Sequence, residues 1–143
     1  MHFFFRVDAN EKIGSGHISR CISLAKFLTQ KKFSVTFITK TIKKNNIDNY
    51  TIKSFSIIKI NPTNLDDDAN KTNKILLKKK KSFLIVDGYN FGISWQKKID
   101  KKIKFILIND YNNKKLKKIV NINPSQNKNI IGKSSYGIPY NKY

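Results

Sequence analysis

Apolar residues fall into short blocks separated by polar or turn-forming stretches, and the spacing within successive blocks switches between that of a strand and that of a helix. His2–Val7 reads as a strand, with His2 as a polar residue on its edge. After a turn, Ile18, Ile22, Ala25 and Leu28 recur at helical spacing. Cys21, Leu24 and Phe27 widen that stripe, which predicts a helix from about His17 to Gln30. Phe33–Ile38 predicts a second strand and Ile42–Asn49 a short polar helix. Phe55–Ile60 predicts a third strand, stopped by Asn61-Pro62. A helix follows over Leu65–Lys79, with Asp66, Asp67 and Asp68 in its first turn and Lys78 and Lys79 in its last. Each sign complements the macrodipole at its own end. Phe83–Val86 and Ile103–Ile108 predict further strands, separated by a helix near Ser94–Lys102. A short helix around Lys114–Lys118 leads to a strand at Ile119–Ile122.

Near-continuous apolar strands alternating with helices imply a mostly parallel sheet covered on both faces, so the fold class is α/β and Rossmann-like. Ligands of such sheets bind outside the carboxyl ends of the strands, and Asp8, Asp87 and Asp110 fall at those ends. No internal repeat is evident. From Asn123 onward the chain is polar and carries Pro124, Gly132, Gly137 and Pro139. The expected organisation is a domain over residues 1–123 and a tail or linker over 124–143.

The length of 143 residues suits one domain, and 39% hydrophobic residues gathered in blocks exclude a fully disordered chain. The longest apolar runs, such as Phe83–Val86, fall far short of the ~20 residues of a spanning helix. Phe3-Phe4-Phe5 is followed at once by Arg6 and Asp8, which leaves no signal-peptide core. A lone cysteine, Cys21, excludes an internal disulfide and suits a reducing compartment. The expectation is a cytoplasmic protein without membrane insertion.

The net charge of +20 invites a polyanion partner. Yet Lys, Asn and Ile, which share A/T-rich codons, make up nearly half the chain, and the lysines are spread along its whole length. Arg6 and Arg20 are the only arginines, and base-reading or stacking patterns are missing. No specific nucleic-acid partner is expected.

The most informative segment runs from the first strand through Gly14-Ser15-Gly16 into the helix that begins near His17. Glycines allow close backbone approach, and the free N–H groups of a helix start favour a phosphate or developing negative charge. Ser19 stands where a dinucleotide fingerprint wants its third glycine, and no Gly-Lys-Ser/Thr follows. A tight turn into a packed helix accounts for the same glycines. His17 lies at the helix start, where the positive dipole end disfavours imidazolium. A neutral ring there suits a general base, a role worth ~10²–10⁴ in rate, although His17 could equally cap the helix.

Arg6-Val7-Asp8, then Ile13-Gly14-Ser15-Gly16-His17-Ile18-Ser19-Arg20-Cys21 and Leu24-Ala25, resemble the opening of the pseudaminic-acid pathway hydrolases. The spore-coat polysaccharide proteins share that pattern. Leu84-Ile85-Val86-Asp87-Gly88-Tyr89 with Trp95, and Ile108-Asn109-Asp110 with Asn121-Ile122-Asn123-Pro124, resemble later blocks of the family in the same order. The resemblance implies a metal-independent hydrolase of a UDP-linked 2,4-diacetamido-2,4,6-trideoxy hexose, built on the two-domain glycosyltransferase-B fold. His17 would act on water attacking the anomeric carbon. Tyr89 would lie against the sugar, and Asp8, Gly14, Ser15, Gly16, Arg20, Asp87 and Asp110 would shape the pocket. Gly88 stands where the family has histidine, Asn109 replaces its first paired acid, and Ile119 replaces another acid. The family continues into a second domain that grips UDP. A truncated or split form, with a separately encoded partner domain, is therefore expected.

Departing UDP needs no protonation by a raised-pKa acid, so paired-carboxylate glycosidase chemistry is not expected. Strand-end acids such as Asp8, Asp87 and Asp110 could bind magnesium, but they are common in this architecture, and neither a metal nor another cofactor is expected. The alternatives are a non-catalytic remnant that binds nucleotide sugar and a basic protein that binds RNA.

Overall fold

The computed structural model describes residues 1–9, 16–40, 54–108 and 120–122. The elements, in chain order, are β1 (His2–Val7), α1 (Gly16–Gln30), β2 (Ser34–Thr39), β3 (Ser56–Lys59), α2 (Leu65–Leu76), β4 (Ser82–Asp87), α3 (Ile93–Lys97), β5 (Lys104–Ile108) and β6 (Val120–Ile122). Six strands form one sheet in the order β3-β2-β1-β4-β5-β6, and every pairing is parallel. This is the doubly wound, Rossmann-type order, with a topological switch point between β1 and β4. The Rossmann-like α/β class expected from the sequence is therefore the observed one.

The Phe-rich first strand reaches both cores because successive side chains leave opposite faces. Phe5 and Val7 pack with Ile85 beneath the Ile18, Ile22, Ala25 and Leu28 stripe of α1. Phe4 packs on the opposite face with Leu84 and Val86, beneath Ala69 and Leu76 of α2 and Trp95 of α3. Phe5 and Phe37 stack at 4.9 Å and are fully buried, each contributing roughly 1.5–3 kcal/mol relative to an exposed ring.

Arg6 follows the same alternation onto the α2 face, where an apolar residue would be the norm. It is fully buried, and Nε and Nη2 donate to the two oxygens of Asp68 at 3.1 and 2.6 Å. Nη1 and Nη2 also donate to Asp8 at 2.7 and 2.9 Å. Trp95 Nε1 donates to Asp68 Oδ1 at 3.0 Å, and Phe91 lies 4.7 Å beneath the guanidinium. Burial opposes the Arg6 charge, but the hydrogen bonds it donates to Asp68 and Asp8 and their negative charges outweigh burial and hold the guanidinium above its ordinary value. The cluster ties β1 to α2 and α3.

Two helices stop earlier than their periodicity predicts. α2 ends at Leu76, the last residue of its stripe to reach the core, and Leu77 is exposed. Lys78 and Lys79 lie beyond the helix in tighter i→i+3 turns, and Ser82 Oγ donates to Leu76 O at 2.9 Å. Lys74 is thus the basic residue of the last turn. α3 covers Ile93–Lys97 instead of running to Lys102, because Asp100 N–H turns back to Asn73 Oδ1 at 3.0 Å. The first turn of α2 divides by role. Asp67 accepts from Lys71 at 2.7 Å and from Thr63 N–H at 2.9 Å, which hold it below the usual carboxylate value, while Asp68 faces the core. The helices predicted at Ile42–Asn49 and Lys114–Lys118 and the tail over 124–143 lie outside the described residues. Among the described residues, no helix is long and apolar enough to cross a membrane.

Candidate functional site at the switch point

The register of the two central strands builds the site. Asp87, the last residue of β4, lies opposite Val7, the last residue of β1. α1 starts at Gly16 and sets His17 in its first turn above the end of β4. His17 Nδ1 stands 2.6 Å from Asp87 Oδ1, across 70 residues of chain. Arg20, one helical turn on and on the same face as His17, grips both oxygens of Asp87: Nε donates to Oδ2 at 2.5 Å and Nη2 to Oδ1 at 2.6 Å.

Arg20 Nη2 also lies 2.8 Å from His17 Nδ1, so two geometries compete for that nitrogen. A bare Nδ1 would set its lone pair against a carboxylate oxygen at 2.6 Å, with no proton between them. Nδ1 therefore carries the proton and donates it to Asp87, and the short approach to Arg20 follows from two donors sharing Oδ1. The other ring nitrogen, Nε2, is left as the acceptor in the neutral ring. Asp87 and Arg20 thus fix the orientation and tautomer of the ring.

His17 is 6% exposed and meets the ring of Tyr89 edge-on, with centroids 4.8 Å apart. Tyr89 is 65% exposed and forms the outer wall. Gly88, between Asp87 and Tyr89, has φ +146°, and a Cβ there would stand 3.0 Å from the Phe91 ring. The histidine of the resembled family would be strained at this position, and glycine is what the backbone requires. Among the described residues, nothing stands within 4 Å of a Cβ placed on Gly16.

The remaining site residues divide as follows. Asp87 has no exposed surface and serves His17 and Arg20, so its place is beneath the ring, not against a substrate. Arg20 is likewise directed to Asp87. Asp8 lies at the end of β1 on the opposite face of the sheet. Besides Arg6, it accepts from Lys40 N–H at 2.6 Å and Thr39 Oγ1 at 3.3 Å, so both its oxygens are used within the fold. Gly14, Ser15 and Asp110 lie outside the described residues. Cys21 Sγ is 3.6 Å from Asp87 Oδ2; burial, then the neighbouring Asp87 charge, push the thiol well above its usual value, which makes it inert.

Comparison with protein-family models, with curated proteins and with solved structures finds no match.

Sequence reasoning missed the Arg6–Asp8–Asp68–Trp95 cluster, although a charged residue on the inward phase of a Phe-rich strand was its signal. It also missed the pairing of His17 with Asp87, which no local spacing reveals. The His17/Arg20 spacing of three was a readable sign that the two share a face. Among the described residues, no three His, Cys, Asp or Glu side chains are grouped so as to hold a metal ion.

Proposed function

We propose that this chain forms the catalytic half of a UDP-sugar hydrolase that releases UDP and a 2,4-diacetamido-2,4,6-trideoxy hexose for nonulosonic acid or surface-polysaccharide synthesis. One observation carries the reading: a histidine oriented by a buried carboxylate at the switch point, with an exposed tyrosine beside it. The residues around Gly14–Arg20 and Asp87–Tyr89 that resemble the pseudaminic-acid hydrolases add to it. Water attacks the anomeric carbon and its proton passes to His17 Nε2. The bond from that carbon to the β-phosphate oxygen breaks, and UDP leaves with the electron pair. Asp87 holds the ring and supports the imidazolium that forms, as the carboxylate of a hydrolytic triad does. Tyr89 packs against the sugar, which lies near the helix start. A second domain supplies the grip on UDP.

The test is UDP release from the UDP-linked sugar by the protein, alone and with a candidate second domain. Exchange of His17→Ala should lower turnover ~10²–10⁴-fold, and a loss smaller than ~10-fold removes the general-base role. The slight exposure of His17 favours a second reading, a domain that binds nucleotide sugar without turning it over. Calorimetric binding of the UDP-sugar without UDP release under every condition would decide for that reading.

A further inference from the structure

Of the sixteen lysines among the described residues, the fold gathers nine at one end of the sheet. In a parallel sheet, the loops that lead into the strands lie at the amino end, opposite the strand ends that carry Asp87 and the site. His2 is in register with Ser34 and Ser82, and Phe83 with Lys104, so β1, β2, β4 and β5 begin side by side. The leading loops carry Lys31 and Lys32, the Lys78 to Lys81 run, and Lys101 and Lys102, with Lys104 opening β5. These nine lysines are all exposed. Asp100, half-buried and bonded to Lys102 N–H at 2.8 Å, is the one acid on these loops. The other described acids, Asp8, Asp66, Asp67, Asp68 and Asp87, lie towards the carboxyl end, at strand ends or the start of α2. His2 registers the positive field: its pKa lies below the ordinary value through burial, then through the charge of Lys79.

Apolar side chains stand exposed within the same face. Phe33 is 36%, Phe27 42% and Leu77 53% exposed. Phe33 follows Lys31 and Lys32 directly, and Lys31 Nζ lies 5.8 Å over the Phe27 ring. Macrodipole complementarity explains lysines near helix ends, but not aromatic rings and a leucine left in water among them. Lysine charge surrounding protruding apolar groups is the chemistry that meets an anionic bilayer surface. The ammonium groups approach the headgroups, and the apolar tips enter the interface. We propose that this amino-end face docks the protein peripherally on an anionic lipid surface, with the switch-point site facing away into water. Nucleic acid fits the face less well. Arg6 and Arg20 are both bound to carboxylates elsewhere, and the Phe33 ring is engaged edge-on by Phe3 at 5.3 Å instead of standing free to stack on a base.

The test is co-sedimentation of the full chain with phosphatidylcholine vesicles, with and without phosphatidylserine at about one lipid in three. Binding should require phosphatidylserine and weaken at least ~10-fold between about 0.05 and 0.5 M salt. Exchanging Lys79→Glu with Lys81→Glu should cost at least ~10-fold in partitioning. The same charge change at Lys40 and Lys59, at the opposite end of the strands, should cost less than ~3-fold. All four residues are exposed, so the fold should survive, as circular dichroism will check. Lys31→Gln with Lys102→Gln serves as a second pair. Phe33→Ser should weaken binding without changing its salt dependence. Equal losses from the two ends, or equal binding to vesicles without phosphatidylserine, would overturn the proposal. So would amino-end exchanges that abolish retention of a single-stranded RNA while sparing vesicle binding.

Discussion

A single carboxylate oxygen, Asp87 Oδ1, receives both His17 and Arg20, and that sharing sets what each substitution here should do. Asp87→Asn removes the charge that supports an imidazolium and lets the ring adopt the wrong tautomer. In serine-protease triads the equivalent exchange costs about 10⁴-fold, and the proposed hydrolysis implies a loss of at least ~10²-fold in UDP release here. Gly88→His, which would restore the residue of the resembled family, forces a side chain into positive φ and against Phe91. It should destabilise the fold by about 1–3 kcal/mol in denaturant unfolding. Gly16→Ala meets no described atom within 4 Å, so stability should hold while, on the proposed function, UDP-sugar affinity falls. His2 donates to or accepts from Thr36 Oγ1 at 2.8 Å, and its folded pKa lies below the 6.5 of the free side chain. As pH falls from 6.5 to the folded value, the unfolded chain takes up the proton first, so stability declines through that window and levels off below it. Melting curves between neutral and mildly acidic pH should show that decline, and His2→Phe should lessen it. At this scale the sequence revealed His17, because glycines and a helix start flank it. Its partner was legible only as a strand-end acid, since their contact is a product of the fold.

Secondary structure was readable wherever burial enforces a period. Each predicted strand has an observed counterpart shifted by at most one or two residues, because an apolar block wedged between two helical layers leaves little latitude. Helix ends were less legible. Lysine-rich stretches keep high helical propensity past the last core contact, so α2 looked three residues longer than it is. The largest omission was the Arg6 cluster, which joins β1, α2 and α3 through side chains far apart in sequence. Buried charges of this kind depend on their partners. Asp68→Ala removes two of the five hydrogen bonds of the Arg6 guanidinium and orphans Trp95 Nε1, and should cost about 3–5 kcal/mol in urea unfolding. Trp95→Phe, which removes one donor and shrinks a fully buried indole to a phenyl ring, should cost less, about 1–3 kcal/mol. If the two variants unfold alike, the cluster is not the tie between these elements.

The alternation of strands and helices was enough to read a parallel, doubly wound sheet, but the strand order was not in the periodicity. The chain passes from β3 back across β2 to place β4 on the bare side of β1, a reversal that no local pattern encodes. The clustering of lysines at one end was invisible for the same reason, since distance along the chain does not measure distance between loops. The order also has a consequence during synthesis. β1 and β2 are complete by residue 39, but the opposite edge of β1 gains its partner only when residues 82–87 leave the ribosome. For the intervening interval the nascent chain carries a three-phenylalanine strand with one unsatisfied hydrogen-bonding edge, the template on which like chains assemble into aggregates. Products ending shortly before Ser82 should accordingly collect as insoluble material that binds amyloid dyes, whereas those extending past Ile108 should not.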